Sequence, residues 1–350
     1  MEFRQLQYVL KVAEERSFSR AAEKLHITQP SLSQQILKLE QQLGVKLFDR
    51  TGSPLELTHA GERFIATASR ILDLTEQLRR EMEDEANLKK GRLVIGSLPI
   101  TGAHMLPPVL PIFQKRFPGI EIVLVEDTTA NLEELTVKGK TDLTLLTLPL
   151  QEPELAFEPI LKEKILLAVP PTHRLAKQVN EKAGKKADTK WKSKHTDRKV
   201  KDEDSDVRLK DKYVDASGWA DKLPEAALSD LKKEPFILLK RGQGFRQIAL
   251  DLCRESGFEP HVAFESSNIQ TVQSLVASGM GVSFVPEMVA RAGWGSDHPV
   301  YLRLANLNPT RTLVVAYREG RYLSKAALAF VEILKETFGE SGVNQTGSEL

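Results

Sequence analysis

Between Gln29 and Lys38 the chain carries Gln29, Ser31, Ser33, Gln34, Gln35 and Lys38, short or flexible hydrogen-bonding side chains with a single charge among them. Such groups suit base edges and phosphates better than mere solvation. Leu32, Ile36, Leu39 and Leu43 recur at spacings of four, three and four, so in a helix they share one face and leave Ser31, Gln34, Gln35 and Lys38 on the other. That helix is predicted over 29–43. Thr28 is a good N-cap, Pro30 sits in the first turn where a missing N–H is harmless, and Gly44 stands where a C′ glycine would end it. A shorter helix over 19–25 precedes it across the turn His26-Ile27-Thr28, with small Ala21 and Ala22 allowing close approach. Helix, three-residue turn, helix is the helix-turn-helix arrangement. Two ordinary packed helices with a wet face explain that much equally well, and the next residues tip the balance. Leu47–Arg50 leads through Thr51-Gly52-Ser53-Pro54 into Leu55-Glu56-Leu57, a short hairpin with Arg50 near its tip. Such a wing can lay a guanidinium along a nucleic-acid backbone or in a minor groove. The candidate DNA-contacting residues are therefore Gln29, Pro30, Ser31, Ser33, Gln34, Lys38, Arg50 and Thr51.

A second group of candidates lies further on. From Arg92 short apolar strands alternate with helices, the mark of an α/β domain. Strands are predicted at 93–96, 120–125 and 143–146, and helices within 101–117 and over 132–137. Pro107, Pro108 and Pro111 should bend or delay the first of these helices. Residues 119–126 are echoed by 257–265, the helix at 132–137 with Gly139 by 269–276 with Gly279, and the strand at Leu143 by Val282–Val285. Two copies of strand–helix–strand about 140 residues apart are spaced too widely for a solenoid and suit two lobes facing across a cleft. The chain should cross into the second lobe near Glu163 and return near Leu304, with 312–317 and a helix over 323–338 completing the first.

In open α/β sheets small molecules bind beyond the carboxyl ends of strands, often at helix N-termini. Those places hold Pro99, Ile100 and Thr101, then Thr128 and Thr129, then Thr147, and in the second lobe Gln243, Gly244, Phe245 and Ser266. Hydroxyls, exposed N–H groups and the arginines Arg241 and Arg246 fit a small organic acid or anion. The Gly-x-Gly at 242–244 is followed by no Lys-Ser/Thr, which excludes a nucleotide-hydrolysing loop. An enzyme would need a nucleophile–base pair or a metal cluster. The seven histidines are scattered and no His/Asp/Glu group has ligand spacing, so neither catalytic residues, nor a metal, nor a cofactor is expected.

The amino-terminal residues also resemble one family closely, the LysR-type transcriptional regulators. The resemblance rests on Phe3, Leu6, Val12, Ala13, Ser17-Phe18-Ser19, Ala21-Ala22, Leu25, Thr28-Gln29-Pro30-Ser31-Leu32-Ser33, Gln35-Ile36, Leu39-Glu40, Leu43-Gly44, Leu47-Phe48 and Arg50, all in one ungapped register. It implies an all-α winged helix-turn-helix over 1–58, a linker and dimerisation helix over 59–90, and an α/β two-lobed periplasmic-binding-protein-like (type II) effector domain over 91–339. In that domain lobe I would comprise 91–162 and 305–339 and lobe II 163–304, with a flexible tail at 340–350. It also implies an effector cleft, with Thr101, Thr128, Thr129, Thr147 and the 243–245 turn at matching places. This chain has Leu98-Pro99-Ile100 where the family often has hydroxyls.

The linker helix has its own signal. Phe64, Ala68, Ile71, Thr75, Leu78 and Met82 form a heptad seam after Thr58, which points to pairing with a second chain. Two reading helices on a dyad predict a homodimer, or a homotetramer built from two, on a roughly palindromic promoter in double-stranded DNA, with RNA polymerase as a further partner.

Net charge bounds the affinity. The whole chain is at +1, and residues 1–58 hold eight Lys/Arg against seven Asp/Glu, so the nucleic-acid reading rests on pattern and few phosphate contacts are expected. Cys253, the only cysteine, falls on the apolar side of a helix and should be a buried structural thiol. One cysteine, no apolar leader at the start and no membrane-length run fit a cytoplasmic protein. Residues 178–222 hold thirteen Lys/Arg and ten Asp/Glu, an insertion expected to be disordered although it carries Trp191, Tyr213 and Trp219.

Overall fold

The computed structural model describes residues 1–51, 55–85, 91–183, 219–292 and 298–339. Contacts divide the chain into two units, Met1–Leu88 and Lys89–Leu350, each taken by itself here.

The first unit contains α1 (Phe3–Glu15), α2 (Phe18–Lys24), α3 (Gln29–Leu43), the two-stranded hairpin β1 (Phe48–Asp49) and β2 (Glu56–Leu57), and α4 (His59–Glu85). Val9, Val12, Ala21, Ala22, Leu32, Ile36, Leu39, Leu47 and Phe48 form its core. The two alanines let α2 lie close on α3, which is why the turn between them spans only a few residues. α2 starts one residue earlier than the pattern suggests, because the Ser17 hydroxyl accepts from the Arg20 N–H and caps it. Thr28 does occupy the N-cap position of α3, but its hydroxyl accepts no bond from the first turn. Leu43, expected on the buried face, is 39% exposed, and Phe3 of α1 is exposed as well. Each sits at the end of its helix, past the reach of the small core.

Thr58 caps α4 by accepting from the Gly61 N–H at 3.0 Å. The expected seam divides along α4. Phe64 and Ala68 pack inward, whereas Leu78 and Met82 are 57% and 54% exposed, and so is Leu74, which the seam did not include, at 59%. Met1, Leu43, Val45, Phe64 and Ile71 line an apolar groove of about 400 Å³ beside them.

The second unit is built on β3 (Gly91–Ser97), α5 (Pro99–Arg116), β4 (Ile120–Glu126), α6 (Thr129–Val137), β5 (Leu143–Thr147) and the long β6 (Leu155–Val169). There follow α7 (Arg174–Ala183), β7 (Glu225–Ala226), β8 (Pro235–Leu239), α8 (Gly244–Glu255), β9 (His261–Ser266), α9 (Ile269–Ala277), β10 (Ser283–Pro286), α10 (Glu287–Arg291), β11 (Val300–Leu304), β12 (Thr310–Arg318) and α11 (Lys325–Phe338). The lobe I sheet runs β4-β3-β5-β12-β6, with β3 parallel to β4 and β5, and β12 antiparallel to β5 and β6. In lobe II, β10 and β11 pair with the far end of β6, and β8 pairs in parallel with β9.

β6 serves both lobes. Its residues up to Lys164 pair with β12, and those from Ile165 pair with β10 and β11. The crossover expected near Glu163 is thus a register point inside one strand. α5 runs through Pro107, Pro108 and Pro111 as one helix and already starts at Pro99, so the prolines do not delay it. Met105, Leu106, Val109 and Phe113 are buried in the lobe I core, Phe113 edge-on to Phe330 of α11, and that burial outweighs the lost N–H groups.

The edges of the charged insertion are ordered, which corrects the expectation there. α7 extends to Ala183, Trp219 packs on the lobe II core, and Ala220 within a short 3-10 turn is buried. An ion pair between Lys164 and Asp221 ties that turn to β6. Trp191 and Tyr213, the tail at 340–350 and the wing tip at 52–54 lie outside the described residues.

Candidate nucleic-acid interface and ligand cleft

α3 buries Leu32, Ile36 and Leu39 completely and exposes Gln29, Pro30, Ser31, Gln34, Gln35 and Lys38. The amides of Gln34 and Gln35 and the ammonium of Lys38 make no hydrogen bond or ion pair with any described residue, so the face keeps its full capacity for an outside partner. A row of amide and hydroxyl groups on a rigid helix can form the paired donor–acceptor contacts that distinguish base edges.

The wing side differs from expectation. Arg50 does not offer a free guanidinium at the tip. Its Nη2 donates to Glu40 Oε2 at 3.0 Å and its Nη1 to Ser33 Oγ at 3.3 Å, and the guanidinium lies 4.9 Å from the Phe18 ring centre. Glu40 also accepts the Leu47 and Phe48 N–H groups, at 2.8 and 3.3 Å. This buried carboxylate therefore bolts the wing to α3, and Ser33 is half-buried beneath Arg50. Thr51 caps the carboxylate of Asp49 through its N–H and its hydroxyl, which holds Asp49 below the usual carboxylate range. Glu40 had a sequence signal that the reading passed over, since it continues the row of Leu32 and Ile36 onto the buried face.

The second unit holds a partly open cavity of about 160 Å³ between the lobes. Of the expected residues, Pro99, Ile100, Thr128, Thr147, Gln243, Gly244 and Phe245 line it, joined by Leu98, Asp127 and Arg311. Three helices start there. Leu98, Thr128 and Gln243 are the N-caps of α5, α6 and α8, and none of the three side chains accepts a bond from its helix. Three sets of first-turn N–H groups, each at the positive end of a helix dipole, thus meet at one place. Glycines close the approach. A Cβ at Gly244 would stand 3.1 Å from Thr129 Oγ1, and one at Gly242 3.5 Å from Thr128 Cγ2, so the lobe II turn touches the lobe I loop. The Gly-x-Gly serves that contact.

The hydroxyls of Thr101, Thr129 and Thr147 and the Nε2 of His104 are buried without a hydrogen-bond partner among the described residues. Thr147 is 8% exposed and lines the cavity, while Thr101 and His104 share the first turns of α5. Burial, with the positive field of Arg311 second, lowers the His104 imidazole to about 4, so it is neutral at physiological pH. Ser266 is not brought to the cavity; its hydroxyl accepts the Asn268 N–H. Arg241 is exposed on the loop and Arg246 is bound to Glu265, so neither supplies the cleft with charge. Arg311 lines the cavity instead, and it was not among the expected residues. It is buried, paired to Glu163 at 2.7 Å, and 5.5 Å from the Phe245 ring centre. Glu163 in turn accepts the Met288 N–H of α10. One ion pair so joins β12, the crossover strand and lobe II.

Cys253 is fully buried, and burial, with Glu259 second, pushes its thiol up to about 12. Among the described residues no group of three or more His, Cys, Asp or Glu could hold a metal, and no helix is long and apolar enough to cross a membrane.

Comparison with known proteins follows the two-unit division. Residues 3–62 match the family model described as bacterial regulatory helix-turn-helix protein, lysR family, and residues 86–184 and 214–339 match the LysR substrate binding domain. The stretch between 184 and 214 is unmatched, so the insertion is narrower than 178–222. The HTH-type transcriptional regulator YcgK of Bacillus subtilis is 39% identical over 344 residues, covering 97% of each chain. The DNA-binding transcriptional dual regulator OxyR of Escherichia coli is 28% identical over 320 residues, covering 91% of this chain and 90% of the relative. Among solved structures, the LysR family transcriptional regulator CbnR superposes with a TM-score of 0.58 at 23% identity, covering 97% of this chain and 99% of that one. HinK of Pseudomonas aeruginosa superposes with a TM-score of 0.53 at 26% identity, over 97% and 99%.

Proposed function

The chain belongs to the LysR family of bacterial DNA-binding transcriptional regulators, and from that premise we propose that it reads its promoter through the exposed face of α3 and responds to a small polar molecule held between its two lobes. The observation that carries the first half is the contrast across α3, where Leu32, Ile36 and Leu39 are sealed while Gln29, Ser31, Gln34 and Lys38 stay exposed. In this reading Gln29, Ser31 and Gln34 contact base edges, Pro30 sets the entry of the helix, and Lys38 and Thr51 contact phosphates. Ser33 and Arg50 act from beneath by holding the wing against α3. A second copy pairs along Leu74, Leu78 and Met82, giving a dimer, or a pair of dimers, on a roughly palindromic site. The protein works in the cytoplasm, where occupancy of the cleft alters what RNA polymerase meets at the promoter.

The cavity-lining Pro99, Ile100, Thr128, Thr147, Gln243, Gly244 and Phe245, with Arg311, hold the effector, an organic acid or anion, while the expected Thr101 and Thr129 do not line the cavity and their buried hydroxyls stand behind it. Several relatives are named hydrogen peroxide-inducible genes activators. Sensing peroxide needs a thiolate that attacks the O–O bond, and the single cysteine is sealed and held protonated. Thiol oxidation is therefore no part of this proposal.

Fluorescence anisotropy with DNA upstream of the protein's own gene tests the DNA half. Gln34→Ala should weaken binding to that site about tenfold and leave random duplex unchanged. Equal loss on both would show that the α3 face does not read bases.

A further inference from the structure

The cleft's polar groups are specific enough to define a ligand class, and this step rests on the reading that the effector occupies the cleft. We propose that its natural occupant is a compact hydroxy or oxo monocarboxylate, with the carboxylate against the helix starts and the second oxygen against the Thr147 hydroxyl.

Size comes first. About 160 Å³ is roughly five waters' worth of space, well below the range of drug-sized sites, and it holds a molecule of roughly five to eight non-hydrogen atoms. Charge comes next. The first turns of α5, α6 and α8 meet at the cavity without side-chain caps, and each carries about half a positive charge. Arg311 adds donors rather than net charge. Its Nε and Nη2 are taken by Glu163, which neutralises it, while its Nη1 makes no bond to any described residue. Asp127, also on the cavity wall, accepts the Thr128 N–H at 2.7 Å and the Asn131 amide at 3.0 Å, which sets a carboxylate beside the start of α6. Three helix starts opposed by one carboxylate favour a single negative charge and disfavour two.

Thr147 supplies the second point of recognition. It lines the cavity, is 8% exposed, and its hydroxyl has no partner among the described residues. A buried hydroxyl left unpaired is costly, and turning χ1 toward a ligand oxygen relieves it. Leu98, Ile100 and Phe245 give the short carbon chain an apolar wall.

Titration calorimetry on the full chain tests the class with lactate and pyruvate, against propionate (no second oxygen), lactamide (no charge), malonate (two charges) and inorganic phosphate. Lactate or pyruvate should bind at least tenfold more tightly than each of the four controls. In Thr147→Val the ratio of lactate to propionate affinity should fall from about ten to about one. Lactamide, malonate or phosphate binding as tightly as lactate overturns the class, as does an absence of binding by every short acid, and both leave the cleft itself available to another molecule. Lactate binding that survives both Thr147→Val and Thr128→Asp unchanged would place the ligand elsewhere and overturn the cleft reading as well.

Discussion

The two lobes contain the same strand–helix–strand unit, β4–α6–β5 in one and β9–α9–β10 in the other, and they treat the helix start differently. Both helices are nine residues long and are followed by a glycine with positive φ, Gly139 and Gly279. In lobe II the Asn268 side chain accepts the Gln270 N–H at 2.8 Å, so α9 is capped from within. In lobe I the Thr128 side chain caps nothing, and the start of α6 opens on the cavity. The strand ends differ likewise, since β5 ends on Thr147 with its unpartnered hydroxyl and β10 ends on Pro286. Lobe II contributes to the cavity through α8 instead. One copy closes its helix start with its own N-cap side chain, and the other leaves it open on the cavity.

The largest test breaks the joint that holds the two copies in register. Glu163→Gln leaves Arg311 buried without its counter-charge and should cost about 3–5 kcal/mol in urea unfolding. The next concerns His104, the buried imidazole of lobe I. The unfolded chain takes up this proton near pH 6.5 and the folded chain only near 4, so the unfolded state binds more protons in between. Its contribution to stability is complete above pH 6.5 and is lost as pH falls toward 4, by about 3 kcal/mol in all. Unfolding of His104→Phe across this window should show that much less pH dependence than the parent chain.

Converting the open helix start into a closed one should sharpen the contrast between copies. Thr128→Asp puts a charged cap on α6 and should weaken anion binding about a hundredfold by calorimetry, while the melting temperature holds or rises. The converse change is the smallest. Asn268→Ala should cost about 1 kcal/mol of stability and leave ligand affinity as it was. A ligand effect there equal to that of Thr128→Asp would erase the distinction between the two copies.

Periodic features were readable in advance. α3 falls on the expected residues, the repeat at 119–147 and 257–285 appears as two matching units, and the strand ends do gather most of the expected cleft residues. Pairings between distant charges were not. Arg50 reads locally as a wing-tip cation, yet a carboxylate ten residues back folds it inward. Arg311 reads as the polar edge of a strand, and only the meeting of β12 with β6 sets it against Glu163. Ser266 shows the limit in the other direction, because a hydroxyl at a strand end serves its own turn as readily as a ligand. Local pattern reports which face is apolar, and it is silent on which ion finds which.

β6 passes from one sheet to the other as a single strand, laddered to β12 up to Lys164 and to β10 and β11 beyond it. The return crossing is strapped too, since Ala305 donates to Ala226 and Ile165 to Pro309. A swing of one lobe must therefore flex a beam and not pivot on a loose joint. Any change in the angle between the lobes has to bend hydrogen-bonded strand at both crossings.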